Sequence, residues 1–162
     1  MANPIAFVLL DAPTKLNAAA ILETLNARYP NQPCVMPPGD PSGAAPIVLT
    51  LANTIVAIMQ IDAPLPDGWQ PAVARAAIYW PEAEAVFKRH RAHFVVSVMG
   101  DAKYHLQVER VTTAVAGALV ATHPLCTAML WASTVANSSQ HVADLSRLAF
   151  TDYPDPPGFG SA

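Results

Sequence analysis

The residues of this chain whose types and spacing could do chemistry gather in one stretch, Pro81–Met99, PEAEAVFKRHRAHFVVSVM, where His90 and His93 stand three apart. On a continuous helix, side chains at i and i+3 share a face, and two imidazoles so placed can chelate a metal or exchange protons. A metal needs a third ligand, and Asp62, Asp101 or His105 would have to be brought near by the fold. The stretch itself argues for a plainer use, because it reads as a short helix running directly into a buried strand. His90 shares a helical face with Val86 and Phe87, which suits a half-buried ring bonded to backbone. His93 then falls at the strand entrance, where it would tie down the corner. No metal and no cofactor are expected.

Other reactive types are poorly placed. His123 precedes Cys126 by three residues, but Cys126 lies in an apolar run without a nearby cation, the setting of an inert buried thiol. Ser97 sits between valines and lacks a Gly-x-Ser-x-Gly elbow. Glu82 and Glu84 point to different sides of their helix and suit its N-terminal end. Asp62, at the end of a strand beside Ala63-Pro64-Leu65-Pro66, is a better-placed loop carboxylate, and turn-capping explains it equally well. Gly39–Gly43 matches neither the P-loop nor the dinucleotide fingerprint. The aromatics Trp69, Tyr79 and Trp80, set among prolines, are candidates for a contact surface, since such rings offer much area at little entropy cost. Trp80 serves equally well as a core residue.

Composition bears on partners. Lys and Arg number 9 against 12 Asp and Glu, giving a net charge of −3, and the cluster Lys88-Arg89-His90-Arg91 is too short to track a phosphate backbone. Nucleic acid is therefore not expected. Charged residues make up 13% and hydrophobic ones 52%, where soluble domains carry roughly 25% charged. With so little charge to cover the surface, an exposed apolar patch is expected, the usual mark of a partner or of self-association; an Ala-rich composition is the bland alternative. Val111–Ala143 contains no Asp, Glu, Lys or Arg, but His123-Pro124 interrupts it, so a buried helix followed by a strand is expected rather than a membrane span. With no basic leader before Ile5–Leu10, a cytoplasmic location is expected.

The elements that must position these residues follow from periodicity and punctuation. Ile5–Leu10 reads as a strand, and Lys15–Tyr29 as a helix capped by Thr14. The Pro- and Gly-rich stretch that follows reads mostly as loop. Ile47–Ala52 and Thr54–Ile61 form a hairpin around Asn53, with Val56 and Ile58 opposite Ile55, Ala57, Met59 and Ile61, which suggests burial on both faces. Trp69–Trp80 is ambiguous, with Pro71 allowed only in a first turn. Pro81 opens a helix, Phe94–Val98 is a strand, and Asp101 caps a long helix ending at Pro124. Cys126–Ala132 is a further strand, and Ser138 or Ser139 caps a last helix. The order predicts an α+β fold with a ferredoxin-like (split βαβ) antiparallel sheet covered by helices, and a C-terminal β-α extension. A single domain over 1–152 and a flexible tail over 153–162 are expected, and no internal repeat is visible.

Four motifs together carry a resemblance: the Ala63–Pro66 turn after a strand, the Trp80-Pro81 step into a helix, HRAHFVVSV, and the apolar strand TAMLWAS. Over about Thr54 to Trp131 the chain resembles a bacterial family of uncharacterised proteins, domain of unknown function 4261. Members of that family continue into a second α+β half. The resemblance implies a defined fold and no activity. With no assembled catalytic constellation, the sequence points to a non-enzymatic protein-interaction domain, with a protein partner or a homo-oligomer. By analogy with small acidic domains, it could be an inhibitor or immunity-type protein neutralising a toxin. The rival is a metal-dependent or acid-base enzyme centred on His90 and His93.

Overall fold

The computed structural model describes residues 5–37, 46–100 and 105–151. Its strands are β1 (Ile5–Leu10), β2 (Cys34–Val35), β3 (Ile47–Leu51), β4 (Thr54–Ile61), β5 (Ala92–Met99), β6 (Cys126–Trp131) and β7 (Val135–Ser138). Its helices are α1 (Ala18–Arg28), α2 (Gln70–Ala76), α3 (Ala83–Arg89), α4 (His105–Thr122) and α5 (Ser139–Ser146). The strands form one open antiparallel sheet in the order β2-β3-β4-β5-β1-β6-β7. The described residues are thus α+β, five helices on a seven-stranded antiparallel sheet.

The strand order does not confirm the ferredoxin-like expectation. There, the first strand would lie between the third and fourth strands of the first six elements, Thr54–Ile61 and Phe94–Val98. Instead β1 lies between β5 and β6, and β4 pairs directly with β5. The reason lies in the connection between β4 and β5. Its helices α2 and α3 do not join α1 over the sheet; they cross to the opposite side, so β4 and β5 meet as antiparallel neighbours. Nor is the C-terminal segment an appendage, because β6 completes the pairing of the interior strand β1.

Two apolar layers result. On the first face, α1, α4 and α5 bury Ile21, Leu25, Val111, Val115, Leu119 and Val142 against Val8, Leu10, Val56, Ile58, Phe94 and Val96. On the second face, α2 and α3 bury Val73, Val86 and Phe87 against Leu9, Ala128, Leu130 and Ala136. That second cluster takes no side chain from β2, β3, β4 or β5.

Local chemistry explains most boundaries. Asn17, not Thr14, caps α1, accepting from the Ala20 amide at 3.1 Å, while the Thr14 hydroxyl donates to the Ala12 carbonyl. Pro71 sits in the first turn of α2, where its missing N–H costs nothing. Ser138 caps α5, accepting from the His141 amide at 3.2 Å. Ala52 and Asn53 turn the β3–β4 hairpin with φ of 50° and 60°, the left-handed pair that a two-residue connection requires. Two strands were not expected: β2, within the Pro-rich stretch, and β7, whose Val-Ala-Asn-Ser lacks strong alternation. The Asp101 cap, the Gly39–Gly43 loop and the tail over 153–162 lie outside the described residues.

Candidate interaction surface

The histidine pair does not share a helical face. α3 ends at Arg89; His90 is its C-cap in extended backbone (φ −60°, ψ 148°), and His93 belongs to β5. Both rings turn toward the same short loop. The Leu65 amide donates to His90 Nε2 at 2.9 Å, and His90 Nδ1 donates to the Phe87 carbonyl. His93 Nδ1 donates to the Ala63 carbonyl at 2.8 Å, its ring set edge-on to Phe7. The two imidazoles therefore pin the Ala63–Leu65 turn to the α3–β5 corner from two sides. Burial lowers the His93 pKa, with His90 nearby adding to the effect. Three ring nitrogens are thus spent on backbone. Among the described residues no group of three His, Cys, Asp or Glu side chains is placed to hold a metal ion.

A third histidine does similar work unforeseen by spacing. His123 accepts from the Asn17 amide through Nε2 at 3.1 Å, while Nδ1 lies 3.1 Å from the Leu119 carbonyl oxygen and 2.8 Å from Thr122 Oγ1. It joins the end of α4 to the start of α1 and packs edge-on against Phe94. Its pKa, too, is lowered by burial. Cys126, also buried, has its thiol pushed up to about 12, and Cys34 up to about 11, so neither offers a thiolate near neutral pH.

The other sequence candidates scatter. Asp62 is exposed at the end of β4, where the Gln60 side-chain amide donates to it at 3.0 Å. Trp69 is buried against Phe87, ring centroids 5.4 Å apart, and half-buried Trp80 meets Phe87 from another side at 6.3 Å. Of the three aromatics only Tyr79 is on the surface, 70% exposed beside Ile78 at 86%. The basic cluster is divided among separate contacts: Lys88 pairs with Glu84 at 2.9 Å and Arg89 with Asp11 at 3.1 Å.

What the fold does assemble is an uncovered sheet face. On the side where α2 and α3 cover β1, β6 and β7, the other half of the sheet has no helix above it among the described residues. The strand register fixes which side chains line up there. Val35, Thr50, Ile55 and Met99 form one row across the strands. Val48, Ala57, Ser97 and Ile5 form the next, and Met59 and Val95 a third that ends at Phe7, where the layer under α2 and α3 begins. Ile5, Val35, Val48, Ile55, Met59 and Met99 are between 40% and 59% exposed. The expectation of burial on both faces of β4 is therefore corrected: Val56 and Ile58 are buried, but Ile55 and Met59 face outward. None of these eleven residues is charged. These six exposed apolar side chains lie side by side across five strands and so form one contiguous apolar patch.

At the Val35–Thr50–Ile55 end the face runs into a shallow cleft of about 670 Å³, whose polar lining includes Asn31, Gln32 and Asn53. An apolar centre with a polar margin is the usual anatomy of a protein contact. The exposed patch expected from the low charge content is thus present, and it lies on β2–β5 and β1. No protein-family model matches the chain, and neither a curated protein nor a solved structure does so. The resemblance to the uncharacterised family rests on the four motifs alone.

Proposed function

We propose that the chain is a non-enzymatic protein-interaction domain whose contact surface is the open half of the sheet. The observation that carries this reading is the charge-free row of side chains across β2, β3, β4, β5 and the start of β1, which no helix among the described residues covers while the adjoining half of the same sheet has one. A face of this size and polarity is costly to leave in water and gains by apolar burial against a partner. Neutralisation of a toxin is a narrower form of the same reading and would use the same face. The rival enzyme centred on His90 and His93 has little support, because those rings are committed to the Ala63–Leu65 turn.

The test is recovery of the tagged chain from its source lysate, followed by native mass spectrometry. The wild-type chain is expected to carry one protein at fixed stoichiometry, its own copy included, and Met59→Lys to release it while His90→Ala does not. A wild-type chain recovered alone, at its own mass, would sink the reading. A bare chain carrying a metal-sized increment lost in His90→Ala would move the argument to the enzyme.

A further inference from the structure

We infer that the end of the sheet where β1 and β4 finish and β5 and β6 begin is an acid-sensitive latch. His90 and His123 hold two loops there only while their rings are neutral, and on protonation they release both loops together.

The two histidines are used in the same way. Each stands just beyond the C-terminus of a helix that leads into a strand, His90 between α3 and β5 and His123 between α4 and β6. Each turns Nδ1 back to a carbonyl of its own helix, Phe87 for His90 and Leu119 for His123. A carbonyl only accepts, so Nδ1 carries the ring proton in both, and Nε2 keeps a lone pair. That lone pair takes the backbone amide of a loop from elsewhere in the chain: Leu65, after β4, at 2.9 Å, and Asn17, ahead of α1, at 3.1 Å. A proton added to Nε2 sets N–H against N–H and abolishes the bond.

The two loops are also tied to each other. The Leu16 amide, beside Asn17, donates to Gln60 Oε1 at 3.0 Å, and Gln60 Nε2 donates to Asp62 Oδ1 at 3.0 Å, one residue before Ala63. Gln60 thus joins the loop held by His123 to the turn held by His90, and His93 grips that turn again through the Ala63 carbonyl. Segments linked in this way open as one unit.

Little around the rings would offset a positive charge. Burial holds the pKa of His93 and His123 below the ordinary 6.5, and His90 adds to the effect at His93. The carbonyls of Leu119 and Lys15 favour the charged form of His123, but less than burial opposes it. Against His123, β5 presents Phe94 and β6 the Cys126 thiol, neutral with its pKa pushed up to about 12. Beside His90 and His93, β1 presents Phe7, and the nearby carboxylates are engaged elsewhere: Asp11 by Arg89, Asp62 by Gln60 and Asp67 by Gln70. Lys88 pairs with Glu84, and Arg91 donates to the His90 carbonyl. Among the described residues no carboxylate is bonded to any of the three rings.

The experiment is amide hydrogen exchange of the full chain, followed by NMR from about pH 7.5 to 5 and corrected for the intrinsic rate, for wild type, His123→Gln and Gln60→Ala. Opening that takes up one proton grows at most ~10-fold per pH unit, and opening that takes up two at most ~100-fold. In wild type the Leu65 and Asn17 amides are expected to lose protection together below pH 6.5, each by more than ~10-fold per pH unit, while the amides of β5 keep theirs. His123→Gln retains an acceptor and takes up no proton, so its Asn17 amide is expected to stay pH-sensitive through the turn alone. Gln60→Ala, on a half-buried side chain, is expected to cut the Asn17 response to ~10-fold per pH unit or less, and carries the test if His123→Gln fails to fold. Protection that stays level down to pH 5, or that falls at one loop only, overturns the latch. So does a loss that β5 shares in step, which is unfolding of the whole sheet. An Asn17 response that Gln60→Ala leaves unchanged, or that His123→Gln abolishes, overturns the joint release.

Discussion

At the scale of single residues, the buried histidines act as fasteners for backbone rather than as reagents. His90 accepts one buried N–H and donates to one carbonyl, so its removal strands the Leu65 amide and the Phe87 carbonyl. An unsatisfied buried donor costs ~1–3 kcal/mol. His90→Ala is accordingly expected to lower unfolding free energy by about that amount in urea melts, and His93→Ala by about half as much, because it frees one carbonyl. The pH dependence has a definite sign. His93 and His123 have folded pKa values below their ordinary 6.5, so the unfolded chain takes up protons before the folded one. Their contribution is complete above pH 6.5 and is lost as pH falls below it toward the folded values. Each ring adds at most about 1.4 kcal/mol per pH unit while it is protonated only in the unfolded chain. Urea midpoints that stay level from pH 7 down to 5 would contradict this.

At the scale of elements, packing across short distances decides what the sequence can vary. α4 crosses α5 at Gly117, where a Cβ would lie 2.2 Å from Ser146 Cβ. Ser146 is itself engaged, its hydroxyl receiving a bond from Arg28 at 3.3 Å and its carbonyl one from the Tyr29 hydroxyl. Alanine gains ~1 kcal/mol over glycine within a helix, but forced separation of packed elements costs ~1–3 kcal/mol. Because the clash is with a fixed Cβ and not a flexible tip, Gly117→Ala is expected to lower thermal stability by net ~1 kcal/mol or more, read by calorimetry. The elements themselves were largely legible in the sequence: Pro81 before α3, Ser138 before α5, and the Asn53 turn are local signals with local outcomes. Strand neighbours were not, since nothing within Thr54–Ile61 or Ile5–Leu10 says which strand each will meet. β7 was missed because its half-exposed Val-Ala-Asn-Ser is held by pairing to β6, not by its own propensity.

At the scale of the whole molecule, the low charge content foretold that apolar surface would remain exposed, but not where. Ile55 and Met59 are as apolar as Val56 and Ile58, and what distinguishes the two sets is the side of the sheet they face: α1, α4 and α5 cover one, and no helix among the described residues covers the other. The contrast is measurable with two adjacent residues of β4. Ile58→Ala opens a cavity in the first layer and is expected to cost ~2–5 kcal/mol. Met59→Lys, measured where the chain is monomeric, is expected to change stability by no more than ~0.5 kcal/mol. Equal effects in chemical denaturation would mean that the face is covered within the monomer. Among the described residues no helix is long and apolar enough to cross a membrane.

The place of β1 has a consequence for how the sheet comes into being. It joins β2–β5 on one side to β6–β7 on the other, pairing Ile5 with Ser97 and Ala6 with Trp131. It is therefore made before both strands it pairs with, and its pairing waits until β5 and then β6 have been made. The hairpins around Asn53 and Ser133 can close from neighbouring residues, but their union awaits closure of loops roughly a hundred residues long, the slow step in sheets built from distant partners. Until then the strand stays a bare apolar ribbon, and this is when the nascent chain is most exposed to pairing with the wrong neighbour.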